Sequence, residues 1–221
     1  VVDLDNLERS IRLAVEQAER AADLRVTDIV LGVSGPDLRS DVVRAKLPMG
    51  GREITAQHIR DARIAALESF QPQGREILHS APLGFTVDST AGIKDPRGMF
   101  AETLTASYLV VSAPTAGLRN IVQCVSRAHL NPTAILAAPF AAGLACLVED
   151  EAEQGAMVID FGAGVTSAAA FSDGGLVHVE TLPMGGSRAT SDLAQGLGTT
   201  FAAAERMKTL HGAVGLSEVG A

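Results

Sequence analysis

Two rhythms of apolar and polar positions alternate along this chain, and the points where one gives way to the other predict its elements. From residue 5 to 24, Leu7, Ile11, Ala14, Ala18 and Ala22 recur at helical spacing on one face, and Asp5 with Glu8 three residues later has the form of a helix cap. Thr27 to Val33, with Ile29, Val30 and Leu31 at its centre, reads as a buried strand. Ser34-Gly35-Pro36-Asp37 then closes it, and a more polar strand through Val42, Val43, Ala45 and Leu47 completes a hairpin that Pro48-Met49-Gly50-Gly51 ends. Thr55 suits the N-cap of a helix from Ala56 to about Ser69, with Ile59, Ala62, Ala66 and Leu67 inward and Arg60, Asp61, Arg63 and Glu68 as its wet face. Glu76 to Val87 reads as a strand, residues 88–98 as turn chemistry, and Glu102 to Ser112 as a third strand with Leu104, Ala106, Tyr108 and Val110 on its apolar face.

The pattern changes at Pro114, which opens a helix bearing Leu118, Ile121, Val122, Val125 and Ala128 and stopped by Asn131-Pro132. Ile135 and Leu136 give a short strand. Pro139 ends it and begins the small-residue helix through Ala145, and Glu149, Asp150, Glu151 and Glu153 read as a solvated acidic linker. From Gly155 a meander runs through Val177 and Val179 to Leu182-Pro183-Met184-Gly185-Gly186, followed by helices from about Ser187 to Gly196 and after Thr199. The fold class is therefore α/β and α+β in four stretches. Residues 1–26 form a helix of a first unit, 27–112 an inserted strand-helix-strand-strand module, 113–154 the rest of the first unit, and 155–221 the start of a second.

Composition narrows the function. A formal charge of -8 with 4% aromatics and no Trp gives neither the basic stripe nor the stacking platforms that nucleic acid requires, so none is expected as a partner. The longest apolar run, Thr133 to Val148, contains Pro139 and Gly143 and is too short to span a bilayer. Cys124 and Cys146 lie in apolar helical patterns and read as buried, reduced thiols, a structural disulfide being the alternative. His58, His79, His129, His178 and His211 have no metal-ligand spacing, and Tyr108 reads as core. With no initiator Met and no signal peptide, the chain is expected to be a segment of a longer protein.

The stretch with the most chemistry is Gly155 to Thr166. A strand of Met157, Val158 and Ile159 ends in Asp160, and Gly162 and Gly164 then allow backbone N–H groups to turn toward an anion. Asp160 is placed to hold a metal-bound water and Thr166 to bond a phosphate oxygen. The same residues equally make a plain hairpin with a glycine turn, because Ala168 to Phe171 resume an apolar strand at once. Farther along, Glu205 and Lys208 stand at i and i+3 of one helix, able to face one cleft or to form an ordinary surface ion pair.

Taken in order, four segments resemble the actin and Hsp70 nucleotide-binding superfamily and, within it, the bacterial division family FtsA. Pro139 to Ala145 resembles the connecting helix, Asp160 to Thr166 the second phosphate loop D-x-G-x-G-x-T, Gly185-Gly186 with Thr190 and Asp192 the turn and helix after the meander, and Ala204 to Gly212 the A-E-x-x-K…H/Y-G helix. Gly32 to Gly35, Ile77-Leu78-His79 and Gly92 to Met99 resemble the family's own inserted subdomain. The resemblance implies actin-like, ribonuclease H-like architecture and a cofactor, ATP with Mg²⁺. Gly162, Gly164, Thr166, Gly185 and Gly186 would lie at the phosphates, Asp160 would position the metal through water, and Glu205 with Lys208 would meet ribose and adenine. It further implies a cytoplasmic adaptor at the inner face of the membrane at the division site, self-associating into filaments, tethering the FtsZ ring and recruiting later division proteins.

Two departures bear on turnover. Ser167 stands where related ATPases often have Asp, and Ala138 where Hsp70-like members carry Glu, so ATP binding with weak or negligible hydrolysis is expected and no catalytic residue is assigned. The first phosphate loop has no counterpart before Leu4. The adenine-side glycine loop and the amphipathic membrane helix are expected beyond Ala221, which leaves half of a nucleotide cleft. The strands from Asp37 to Leu47 and from Glu102 to Ser112 are candidate edges for partners. Alternatives are a PilM-type adaptor of pilus assembly, which the GIKDP phrase at residues 92–96 disfavours, a nucleotide-independent interaction module, and a sugar or acetate kinase, for which no substrate-binding acid is found.

Overall fold

A computed structural model describes residues 3–213, so the outermost residues of the first and last predicted units, 1–2 and 214–221, lie outside the described residues. The chain begins with helix α1 (Leu4–Ala22), capped by the Asp3 carboxylate, which accepts from the Asn6 amide at 2.9 Å; Asp5, the expected cap, lies inside the first turn instead. Asp23 ends the helix in the left-handed region. Strand β1 (Asp28–Val33) does not form a hairpin with β2 (Arg39–Glu53). It pairs in parallel with β6 (Asn131–Ala137), Asp28 opposite Asn131, across the whole intervening module.

That module is β2, helix α2 (Ala56–Glu68), β3 (Arg75–Val87), the short β4 (Thr90–Ile93) and β5 (Phe100–Pro114), in an antiparallel sheet ordered β2-β5-β3-β4. β5, expected to offer an edge, is central and buried on both faces. Leu104, Ala106, Tyr108 and Val110 meet Met49, Ile54 and the Ala62 and Ala66 face of α2, whereas Leu109, Val111 and Ala113 join a second core with Val33, Leu118 and Phe171. Thr55 caps α2 as expected, and His58 completes the box by accepting from the Thr55 amide at 3.1 Å. β2 runs past Pro48 because Gly50 and Gly51, both at positive φ, form a bulge that shifts register and lets pairing resume at Arg52.

Helix α3 (Thr115–Arg127) packs against α1 and leads into β6. Helix α4 (Ala138–Cys146) follows directly, with Pro139 in its first turn, where the missing N–H is harmless. The acidic run is not a linker but a helix, α5 (Glu149–Gln154). Three acids occupy its first turn, where the peptide dipoles favour them, and Glu151 accepts from the Val148 amide at 3.1 Å. The final unit is the meander β7 (Ala156–Phe161), β8 (Thr166–Ser172) and β9 (Gly175–Leu182), then α6 (Gly186–Leu197) and α7 (Phe201–His211). Both cysteines are free thiols, Cys124 buried as expected and Cys146 exposed at the end of α4.

The module is tied to its neighbours by polar contacts. Ser40 Oγ of β2 donates to the Val179 carbonyl of β9 at 2.7 Å and accepts from the Val179 amide at 2.9 Å, and Thr181 Oγ1 donates to the Leu38 carbonyl at 3.1 Å. His79 Nε2 accepts from the Ala137 amide at 2.7 Å, just before α4, and its ring leans on Phe140. Burial holds the His79 imidazole below its ordinary pKa, which suits a ring that must stay unprotonated at Nε2 to accept.

Candidate functional site

The loop between β7 and β8 is closed by the Gly162 amide donating to the Val165 carbonyl at 3.0 Å. A Cβ at Gly162 would fall 2.8 Å from that same oxygen, so a turn this tight needs glycine. Closing the turn uses the Gly162 donor. The amides of Ala163 and Gly164, both exposed, donate to no group among the described residues, and a Cβ at Gly164 would meet nothing within 4 Å. Two free N–H groups at the tip of a rigid turn fit an anion.

Gly185-Gly186 clasps this loop from behind. Gly186 N–H donates to the Gly162 carbonyl at 3.0 Å, Ser187 N–H to the Ala163 carbonyl at 2.8 Å, and Thr166 Oγ1 to the Met184 carbonyl at 2.7 Å. Gly185 is buried so closely that an added Cβ would lie 2.3 Å from the Gly162 oxygen. The Thr166 proton is therefore engaged within the protein, leaving its lone pairs. Asp160, half-buried at the end of β7, faces buried Ser167 across the pair, and its carboxylate makes no hydrogen bond among the described residues. No group of three or more His, Cys, Asp or Glu side chains converges there or elsewhere among the described residues, so a metal at Asp160 would take its other ligands from water and phosphate oxygens.

The turn also reaches α7. Lys208 Nζ donates to the Gly186 carbonyl at 3.2 Å, to Thr190 Oγ1 at 2.9 Å and to Glu205 Oε2 at 2.8 Å, while Thr190 Oγ1 also bonds Glu205 Oε2. Bonds from Lys208 and then Thr190 hold the Glu205 carboxyl below its usual range, so it is an acceptor at neutral pH. The structure thus joins Gly162, Thr166, Gly185, Gly186, Glu205 and Lys208 in one connected set. Asp160 and Gly164 lie beside it without bonds to it. Thr190 is the member that no role was read for in the sequence, although Gly186 and Thr190 stand one helical turn apart just as Glu205 and Lys208 nearly do. It is fully buried, and its hydroxyl is the joint between α6 and α7.

Comparison with known proteins bears on this arrangement. The family described as "SHS2 domain inserted in FTSA" matches residues 35–112, and that described as "Cell division protein FtsA" matches residues 157–220. The cell division protein FtsA of Agrobacterium fabrum is 42% identical over 212 residues, 96% of this chain and 48% of that relative. The chain belongs to the FtsA family. FtsA of Escherichia coli K12 is 29% identical over 220 residues, 100% of this chain and 52% of that relative, so the chain spans about half the length of these FtsA proteins. Among solved structures, a PilM-PilN type IV pilus biogenesis complex matches 95% of this chain and 57% of its own at a TM-score of 0.63 and 20% identity, a likeness of fold. The mixed α/β architecture is accordingly actin-like, with the SHS2 domain of the FtsA family inserted in it, and the pilus-assembly alternative gains the fold and nothing more. No helix among the described residues is long and apolar enough to cross a membrane.

Proposed function

We propose that this chain is the part of an FtsA-type division adaptor that carries the second phosphate loop and the sugar-side helix of an ATP site, together with the inserted module. The observation that carries the reading is the pair of unengaged amides at Ala163 and Gly164, on a turn locked by Gly185-Gly186, which leads through Gly186 to Glu205 on α7. Those amides would receive phosphate oxygens, Thr166 stands at the foot of the loop, and Asp160 would hold Mg²⁺ through water. Glu205, braced by Lys208, would accept from ribose hydroxyls. Ser167 and Ala138 supply no acid beside the metal or the attacking water, which favours ATP as a structural ligand with little turnover.

An ATP-dependent equilibrium between open and closed clefts would bias self-association, because a ligand that prefers one state stabilises that state. Tethering of FtsZ filaments at the inner membrane face, and recruitment of later division proteins through the module of residues 35–112, belong to the same proposal by family membership. Titration of the full-length protein with Mg-ATP, comparing wild type with Gly164→Val and Thr166→Ala, tests it. A Cβ at Gly164 meets no protein atom within 4 Å, so valine there should leave folding intact while filling the phosphate position and abolishing binding. Unchanged binding in a folded Gly164→Val protein would favour the nucleotide-independent module instead.

A further inference from the structure

β2 is an edge strand, for in the order β2-β5-β3-β4 it has a partner on one side only. Ser40, near its start, is tied to Val179 of β9, and Pro48 has no N–H to offer, so the unpaired backbone runs from Val42 to Leu47. Arg44 and Lys46 stand on one face of this stretch, opposite Ser107 and Thr105 of β5, and Thr105 lies opposite Thr86 of β3. The two cations are exposed and the three hydroxyl-bearing side chains half-buried. None of the five has a hydrogen bond or ion pair among the described residues, where no buried side-chain polar atom lacks a partner, so all five open to solvent. Asp41, the nearest acid along the strand, pairs with Val110 and stands on the other face. On that face Val43, Ala45 and Leu47 pack under α2, with Ala45 and Leu47 still half-buried.

We propose that the edge from Val42 to Leu47 is a docking site for an extended segment of another protein in which acidic residues alternate with apolar ones. Residues opposite one another in an antiparallel pair share a face of the sheet. Acids of an added strand opposite Arg44 and Lys46 would therefore meet two unpaired cations, with the Ser107 and Thr105 hydroxyls as further donors. The apolar residues between them would fall beside Ala45 and Leu47 and extend the core under α2. Cations on an edge deter pairing with neutral or basic strands, so here they select a partner as well as protect the edge. Residues 35–112 hold nine basic and nine acidic residues, so the formal charge of -8 lies wholly outside the module, which presents no net repulsion to an acidic segment. This goes beyond the reading above, which gives the module neither a particular surface nor a partner chemistry, and it needs no nucleotide.

The test uses the full-length protein and short, end-capped, dye-labelled peptides read by fluorescence anisotropy: Glu alternating with Val, Lys alternating with Val, and two versions of the first, N-methylated at every Glu or at every Val. Wild type should bind the Glu–Val peptide about tenfold or more tightly than the Lys–Val peptide, which sets like charges opposite one another. Alternate amides of a strand point to opposite edges, so one of the N-methylated versions should lose binding and the other keep it. Hydrogen exchange should show the bound Glu–Val peptide protecting amides between Val42 and Leu47. Arg44→Glu with Lys46→Glu, at exposed positions, should keep the circular dichroism of wild type and reverse the preference in favour of the Lys–Val peptide; Arg44→Gln with Lys46→Gln should only level it. Undiminished binding of both N-methylated versions would overturn the proposal, since it would leave charge attraction without strand pairing. Equal affinity for the Glu–Val and Lys–Val peptides, a preference unmoved by the charge reversal, protection confined to other strands, or no binding of the Glu–Val peptide at millimolar concentration would each overturn it as well.

Discussion

Replacing Gly185 by alanine asks whether the turn between β7 and β8 and the turn behind it are one mechanical unit. The added Cβ would stand 2.3 Å from the Gly162 carbonyl oxygen and 2.7 Å from that of Ala163, both backbone atoms that no rotamer change displaces. Non-bonded contacts to carbon settle at about 3.5 Å, so relief requires the two turns to part by roughly 1 Å. The bonds Gly186 N–H to Gly162 O, now 3.0 Å, and Ser187 N–H to Ala163 O, now 2.8 Å, then pass out of bonding range. At about 1 kcal/mol for each bond and about 1–3 kcal/mol for the overpacking, the substitution should destabilise the unit by about 3–5 kcal/mol. With a urea slope of about 2 kcal/mol/M, the midpoint of the intact protein should fall by roughly 2 M, and nucleotide affinity should fall with it. Gly164→Ala is the control, since its Cβ meets nothing within 4 Å; it should stay within about 0.5 kcal/mol of wild type. A Gly185→Ala protein within about 1 kcal/mol of wild type would refute the tight contact.

Three other perturbations follow from single contacts. At Gly143 a Cβ would lie 2.1 Å from Phe171 Cζ, a ring that can be trimmed, so Gly143→Ala should lose about 1–3 kcal/mol in chemical unfolding and regain part of it when combined with Phe171→Leu. Burial holds the His79 pKa in the folded protein below the ordinary histidine value of about 6.5, so its contribution is complete above that pH and declines as pH falls below it toward the native value; unfolding midpoints taken from pH 8 to 5 should show a component, roughly 1 kcal/mol for the Ala137 bond, that His79→Phe lacks. Thr55→Ala removes the cap of α2 and should lower stability by about 1 kcal/mol, read in the same denaturant titration.

What could be read from the chain was local. The Thr55 cap and the buried face Leu104 to Val110 of β5 each follow from residues within a few positions of one another, and the structure has them; α1 forms as expected, but of its stripe only Leu7 and Ile11 are partly covered, with Val15 beside them, while Ala14, Ala18 and Ala22 are exposed. The β1 partnership was not legible, because parallel pairing of Asp28 with Asn131 leaves no turn between the strands to announce it, and Ser34-Gly35-Pro36-Asp37 is good turn chemistry whichever strand comes next. Gly50-Gly51 looked like an end and is a bulge, a difference decided by whether β5 continues alongside. The run from Glu149 to Glu153 looked solvated and unstructured, yet its own acids stabilise the first turn of α5. In the candidate site the glycines and the Glu205–Lys208 spacing were visible, while Thr190 stood only as part of a motif with no role: a threonine on a helix is unremarkable until a second helix places a carboxylate and an ammonium against it.

The same distinction governs how the inserted module meets the rest. β8 begins at Thr166, which is tied to Met184 beside the β7–β8 turn, and reaches Phe171, whose ring is seated against Gly143 and stacked on Phe140 of α4. Phe140 in turn leans on His79 of β3, and Ala137, the residue before α4, donates to that imidazole. One short strand and one short helix therefore stand between the loop and the module's sheet, with aromatic rings at each junction and no glycine at positive φ along β8 or α4 to absorb a displacement. A second tie runs from β9 through Val179 to Ser40 on β2, so the module is held at two separate strands. A rigid-body tilt of the module must strain one tie or the other. Close packing resists such strain more than it yields to it, so Ser40→Ala and His79→Phe together should loosen the module more than the sum of each alone. Hydrogen exchange of the β3 and β5 amides measures this, and strict additivity of the two substitutions would show that the ties act independently.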